Sequence, residues 1–212
     1  MKYSKQILIY TLITVVVIVA GLFITKGASF SIKSDEPVNA MIYPKLKKVQ
    51  SFEFGSGDLK VSEKIFLDHW TFVFFGYTYC PDICPTTMSS LREFYSKLPD
   101  DVRKETQVML VSVDPDRDDP EQLKQYVNAF HPEFIGTTAS HDKLEKFTRD
   151  FGALYYKVGD DENYLVDHTG KIFLINPKGE RFAIFNKAMN NPSEGYDYDI
   201  EQMVKDFLII KS

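Results

Sequence analysis

Only two of the 212 residues are cysteine, Cys80 and Cys84, and that scarcity excludes more than any other feature of the chain. A structural zinc site wants four ligands, and no third or fourth thiol exists to complete one. A disulfide between these two would close a five-residue loop, worth about 2 kcal/mol of chain entropy, so a structural staple explains little. Three residues separate the thiols, whereas dithiol oxidoreductases usually carry C-x-x-C. Internal repeats, low-complexity tracts, a glycine-rich phosphate loop and a serine-based triad are also missing. Positive charge is scarce: 25 basic residues stand against 30 acidic. Lys2, Lys5, Lys26 and Lys33 lie in the first 33 residues, which hold no acid, and the remainder therefore carries a charge of −9. Such a surface excludes nucleic acid as a partner.

The one long uncharged run is Ile7 to Ile24, eighteen residues. That length reaches the lower edge of a bilayer span and exceeds the usual core of a signal peptide, roughly 7–15 residues. Residues 1–26 are therefore expected to form a transmembrane anchor. Lys2 and Lys5 favour an inside N-terminus, although Lys26 and Lys33 weaken that signal. The expected location is the inner (cytoplasmic) membrane, single-pass, with the domain on the periplasmic or extracytoplasmic side. The small residues Gly27-Ala28-Ser29 leave cleavage open, and no cysteine ends the apolar run to take a lipid. Residues 27–48 read as a linker and 49–212 as the globular domain. An exported compartment permits disulfides, so the redox state of the thiols is a real variable.

Within the domain, Val49 to Phe54 reads as an edge strand that returns through Leu59-Lys60-Val61. Trp70 to Phe75 is a buried central strand and Val108 to Val113 a second one. Between them, from Thr86 onward, Met88, Leu91, Tyr95 and Leu98 recur at helical spacing, and Pro99-Asp100-Asp101 stops that helix. Leu123, Val127 and Phe130 mark a further helix, Leu144, Phe147 and Phe151 another. Phe134-Ile135-Gly136 is a short strand. Lys171–Ile175 and Arg181–Phe185 form a hairpin about Asn176-Pro177-Lys178-Gly179. Ile200, Met203, Val204, Phe207 and Leu208 close the chain with an amphipathic helix, and Asp160–Asn163 and Asn190–Tyr198 are polar loops.

Both central strands run towards one sheet edge, where ligand sites of open α/β sheets gather. The first delivers the thiols. The second ends in Asp114, read as a carboxylate that orients a ligand or a partner. Asp116 to Asp119 read instead as caps of the next helix. His69, at the far end of its strand, and His131 and His141, at element ends, are not expected to bind metal.

If Cys80 to Cys84 coils, the two thiols share a face at about 5–6 Å between Cβ atoms, close enough to bind a metal or to oxidise. Pro81 suits a first helical turn, whose free N–H groups favour a thiolate. Two soft thiolates with one imidazole suit copper, as Cu(I) or Cu(II).

The run Phe75-Gly76-Tyr77-Thr78-Tyr79-Cys80-Pro81-Asp82-Ile83-Cys84-Pro85 resembles the signature of the Sco/SenC copper-chaperone family, F-G-(F/Y)-T-x-C-P-x-x-C-P. Two further blocks agree in order and spacing, Val111-Ser112-Val113-Asp114-Pro115-Asp116-Arg117-Asp118-Asp119-Pro120 and Tyr164-Leu165-Val166-Asp167-His168-Thr169-Gly170. The resemblance runs from about Phe52 to the last helix. One departure is Tyr79, where many relatives place a histidine that is not a ligand. The resemblance implies a thioredoxin-like α/β fold, a central mixed sheet flanked by helices, holding one copper ion through Cys80, Cys84 and His168. It implies service to cytochrome c oxidase subunit II or a similar exported copper protein, by delivering copper to its binuclear site or keeping its cysteines reduced. His168 is expected on a loop at the mouth of a β-hairpin, able to swing over the thiols. The rival function is a thiol–disulfide oxidoreductase using Cys80 and Cys84 without metal; a peroxidase, with one cysteine forming a sulfenate, is a more distant third.

Overall fold

The computed structural model describes residues 13–14, 36–159, 163–187 and 197–212. All of the expected anchor at 1–26 except residues 13–14, and most of the loops at 160–163 and 190–198, fall outside them. Among the described residues no helix is long and apolar enough to cross a membrane. The chain divides into two units, Met1–Asp35 and Glu36–Ser212, and every described strand lies in the second.

The elements of this second unit are β1 (Ala40–Lys48), β2 (Glu53–Ser56), β3 (Leu59–Ser62), a 3-10 turn (Glu63–Phe66), β4 (Trp70–Gly76), α1 (Ile83–Lys97), α2 (Asp100–Lys104) and β5 (Thr106–Ser112). They continue with α3 (Pro120–Asn128), β6 (Ile135–Thr137), α4 (His141–Phe151), β7 (Tyr155–Val158), β8 (Leu165–His168), β9 (Ile172–Ile175), β10 (Glu180–Phe185) and α5 (Ile200–Lys211). Six strands form one mixed sheet in the order β1-β10-β9-β4-β5-β6; β2-β3 and β7-β8 are separate hairpins. β4, β5 and β6 run parallel, and β9 turns the sheet antiparallel against β4.

β4 occupies the centre because its run of aromatic and β-branched residues tolerates burial on both faces. Side chains alternate along it, so Phe72 and Phe75 serve opposite layers. Phe72 packs on Phe94 of α1 at 4.6 Å between ring centroids and on Phe207 of α5 at 5.0 Å. Phe75 packs on Phe151 of α4 at 5.6 Å and on Phe147 at 6.1 Å. Each such ring, fully buried, contributes roughly 1.5–3 kcal/mol by removal from water. The sheet thus lies between α1 with α5 on one side and α4 on the other, and the parallel β4–β5 pair sends both carboxyl ends to one edge.

Several expectations need correction. Residues 40–48, assigned to the linker, form β1, an edge strand paired antiparallel with β10 from Ala40 opposite Phe185 to Lys48 opposite Glu180. Its side chains are mostly exposed, so no apolar alternation marks it. Its start is fixed from far away: Asp206, fully buried on α5, accepts the N–H groups of Val38, Asn39 and Ala40 at 2.9, 2.6 and 3.0 Å. The strand expected at Val49–Phe54 begins only at Glu53 and pairs with β3 outside the main sheet. Pro99-Asp100-Asp101 ends α1 but also starts α2, with Pro99 at its N-cap and both aspartates in its first turn, where they suit the helix dipole. α1 begins at Ile83, three residues earlier than expected, which puts Cys84 inside its first turn.

Candidate metal centre

β4 ends on Gly76, where a Cβ would lie 3.0 Å from Cys84 Sγ and 2.9 Å from the Phe74 ring. Only glycine leaves room there for the sulfur. The chain then crosses Tyr77–Asp82 and enters α1. The proline of the first helical turn is Pro85, where no intrahelical donor is lost; Pro81 precedes the helix. The Cys84 N–H, free at the helix start, donates to Cys80 Sγ at 3.4 Å. Both thiols are free, with Cys80 9% exposed and Cys84 0%.

His168 is the last residue of β8, opposite Tyr155 of β7. It does not sit on a swinging loop, as the sequence suggested, but on a strand whose partner β7 carries no clear sequence signal. Its ring stands edge-on to Phe74 and Tyr77, with centroids 5.7 and 6.0 Å away. The Val166 N–H donates to Tyr77 Oη at 3.2 Å, tying the hairpin to the residues that lead to the thiols. His168 Nε2 comes to 3.3 Å from Cys84 Sγ, while Nδ1 is buried without a hydrogen-bond partner among the described residues. The two sulfurs and one imidazole nitrogen all lie within 4.8 Å of one another. Three donors bound at about 2.0–2.3 Å around one ion stand roughly 3.5–4 Å apart, so this donor set fits a soft first-row metal with small adjustment.

The two thiols are polarised. The neighbouring Cys84 thiol, the His168 ring and the amides of Asp82 and Cys84 together outweigh burial and push the Cys80 thiol down to about 3. The neighbouring Cys80 sulfur and burial push the Cys84 thiol up. A direct check is alkylation of the metal-free, reduced chain. An ordinary thiol loses its thiolate roughly a thousandfold between pH 8 and pH 5. Because the Cys80 value is lowered, its iodoacetamide rate is expected to stay nearly flat across that window, with Cys84 unmodified; a thousandfold fall would show an unperturbed thiol.

Of the aspartates at this edge, Asp114 is buried, and its carboxylate accepts Tyr164 Oη at 2.6 Å and Arg117 Nε at 2.6 Å. Its bonds go to these neighbours, not to a thiol or to His168. The guanidinium of Arg117 lies 3.6 Å from the Tyr164 ring centroid and 4.9 Å from that of Tyr79. Asp119 does cap α3, accepting the Gln122 N–H at 2.8 Å. Asp116 pairs with His141 at 3.3 Å. Asp118, read as another cap, is 1% exposed and accepts the Thr78 N–H at 2.9 Å as well as the Thr78 and Ser112 hydroxyls. Burial pushes its carboxyl up, against those three donors. It is the group that fixes the turn before Cys80, and the sequence hid it among three neighbouring aspartates. The other histidines stay apart: His69 Nδ1 lies 3.0 Å from the Leu67 carbonyl and His131 Nδ1 accepts the Glu133 N–H.

A thioredoxin-like sheet with two polarised thiols at the carboxyl end of β4, and an imidazole brought to them by a later hairpin, defines a class of thiol proteins built for soft metals or dithiol exchange. The chain belongs to the SCO1/SenC family, whose sequence model matches residues 43–205. An SCO2-like protein of Rickettsia prowazekii is 33% identical over 185 residues, 82% of this chain and 89% of that protein. Two longer mitochondrial SCO homologues, from Danio rerio and Arabidopsis thaliana, are matched over 57% and 45% of their lengths. The solution structure of apo Sco1 from Thermus thermophilus aligns with a TM-score of 0.71 at 31% identity, covering 84% of this chain and 99% of that one. The crystal structure of Arabidopsis thaliana ScoI with copper bound aligns with a TM-score of 0.67 at 28% identity, covering 78% of this chain and 98% of that one.

Proposed function

We propose that this chain is a copper chaperone that carries one ion on Cys80, Cys84 and His168 and passes it to the binuclear copper site of cytochrome c oxidase subunit II. The observation that carries this reading is the meeting of His168 Nε2 with the two sulfurs, within 4.8 Å, from an element 84 residues downstream of Cys84. Copper is the cargo, and two thiolates with an imidazole accept it in either Cu(I) or Cu(II) form. Loading displaces the proton from the Cys84 thiol, which burial and Cys80 push up. Release proceeds by ligand exchange: an incoming thiolate takes the place of the His168 nitrogen first, because that donor is neutral and the two sulfurs are charged. Asp114 acts at one remove, by fixing Tyr164 at the entry to β8, the strand that ends in His168. Residues 1–26 hold the domain at the outer face of the inner membrane.

The thiol asymmetry favours a second activity on the same residues. The Cys80 thiolate attacks a partner disulfide, Cys84 resolves the mixed disulfide, and the partner leaves with two electrons and its thiols restored while Cys80 and Cys84 become disulfide-bonded.

The deciding experiment loads the reduced full chain with Cu(I), mixes it with the metal-free copper domain of an oxidase subunit II, and follows the metal after separation. Transfer of most of the copper is expected, and oxidation of Cys80 and Cys84 to a disulfide beforehand abolishes loading. Copper that binds but never moves to the acceptor would overturn delivery and leave the reductase role.

A further inference from the structure

Handing over an ion, or exchanging a disulfide, requires a partner sulfur within bonding distance of these thiols. Cys84 is fully buried, so Cys80 is the point of approach. Beside it lies an open depression of about 490 Å³, lined by Thr78, Tyr79, Gln122, Gln125 and Tyr126. Its size falls within the range of sites that hold small ligands, about 300–1,000 Å³. Two of its residues, Thr78 and Tyr79, lead directly into Cys80. All five side chains are uncharged, on a domain that is otherwise strongly acidic.

The polar groups in the depression suit a main chain. Gln125 has an amide that both donates and accepts, and its one bond, to Glu121 Oε1, is long at 3.4 Å. Gln122 reaches Thr78 Oγ1 at 3.2 Å and so shapes the wall. The Tyr126 hydroxyl is buried without a hydrogen-bond partner among the described residues, and burial with the charge of the nearby thiols and Asp118 pushes its pKa up, keeping it a donor. Tyr79 is 54% exposed and backed by the Arg117 guanidinium, a supported aromatic surface.

We propose that this depression is the docking groove for an extended, uncharged peptide segment that carries the partner's thiol, with Gln125 bonding its main chain and Tyr79 covering it. The groove rests on the thiol-exchange function proposed for Cys80 and adds the surface that presents the partner. The test uses the full chain with Cys84→Ser, leaving Cys80 alone. The probe is a capped, uncharged octapeptide whose single cysteine is activated as a thionitrobenzoate disulfide. The Cys80 thiolate attacks the peptide sulfur, a new disulfide forms and thionitrobenzoate leaves. Dithiodipyridine, too small to use the groove, serves as the control reagent.

Gln125→Ala and Tyr79→Ala are each expected to slow the peptide reaction about fivefold, as loss of one net contact of hydrogen-bond size gives, while leaving the dithiodipyridine rate unchanged. Equal slowing with both reagents, or no slowing with either, overturns the groove. In the chain that retains Cys84, Gln125→Ala should compete for Cu(I) against a chromophoric chelator as the native protein does. A native chain that fails to load copper would sink the carrier function, while the comparison of peptide with small reagent would still decide the groove.

Discussion

His168→Ala is expected to lower the Cu(I) affinity of the reduced chain by more than about 100-fold. Loss of a residue that merely supports a ligand typically costs 10–100-fold in metal affinity, and His168 is placed to bind the ion itself. The two sulfurs would remain, with a third position open to solvent. The fold should survive, because the His168 ring sits at the end of a four-residue strand of a separate hairpin, edge-on to Phe74 and Tyr77. Competition with a Cu(I) chelator measures the loss, and the rate of dithiol exchange with a small disulfide should change far less. An unchanged copper affinity would mean that the imidazole stands beside the thiols without binding metal, and the carrier reading would fall to the reductase.

Asp206→Ala, far from the thiols, is expected to cost about 2–4 kcal/mol of stability. Its carboxylate, fully buried, is the acceptor for three successive backbone N–H groups at 38–40 and for Gln202 Nε2 at 2.7 Å. Removing it leaves buried donors unpaired, at roughly 1–3 kcal/mol each where water cannot replace the lost acceptor. Val38 and Asn39 retain some access to water, which holds the total below the sum. The urea midpoint should fall, and amide exchange at 38–42 should rise more than in β4 or β5. Asp206→Asn, which keeps one acceptor oxygen, should lose less. A midpoint within error of the native value would show that β1 is held by its pairing with β10 alone.

The legible parts of this protein were those where local sequence and tertiary role agree. Trp70 to Phe75 could only be a strand buried on both faces, and the spacing of Met88, Leu91 and Tyr95 could only be one helical face against it. The motif around Cys80 and Cys84 carried both the family and the chemistry. β1 was illegible for a physical reason: an edge strand with exposed side chains needs no alternation, and the acceptor that fixes its start lies 166 residues away from Ala40. β7 was missed likewise, since a strand of an isolated hairpin buries little of its own. Asp118 looked like one cap among four aspartates because a capping carboxylate and a buried one have the same sequence.

By itself the sequence determined which atoms are available: two thiols four residues apart, with few histidines to join them. Tertiary structure alone decided how the His168 nitrogen faces Cys84, and that the Cys80 thiol is the one pushed down while the Cys84 thiol is pushed up. Those outcomes depend on distances between segments far apart in the chain and on exclusion of water around them, and neither is a property of any local stretch of residues.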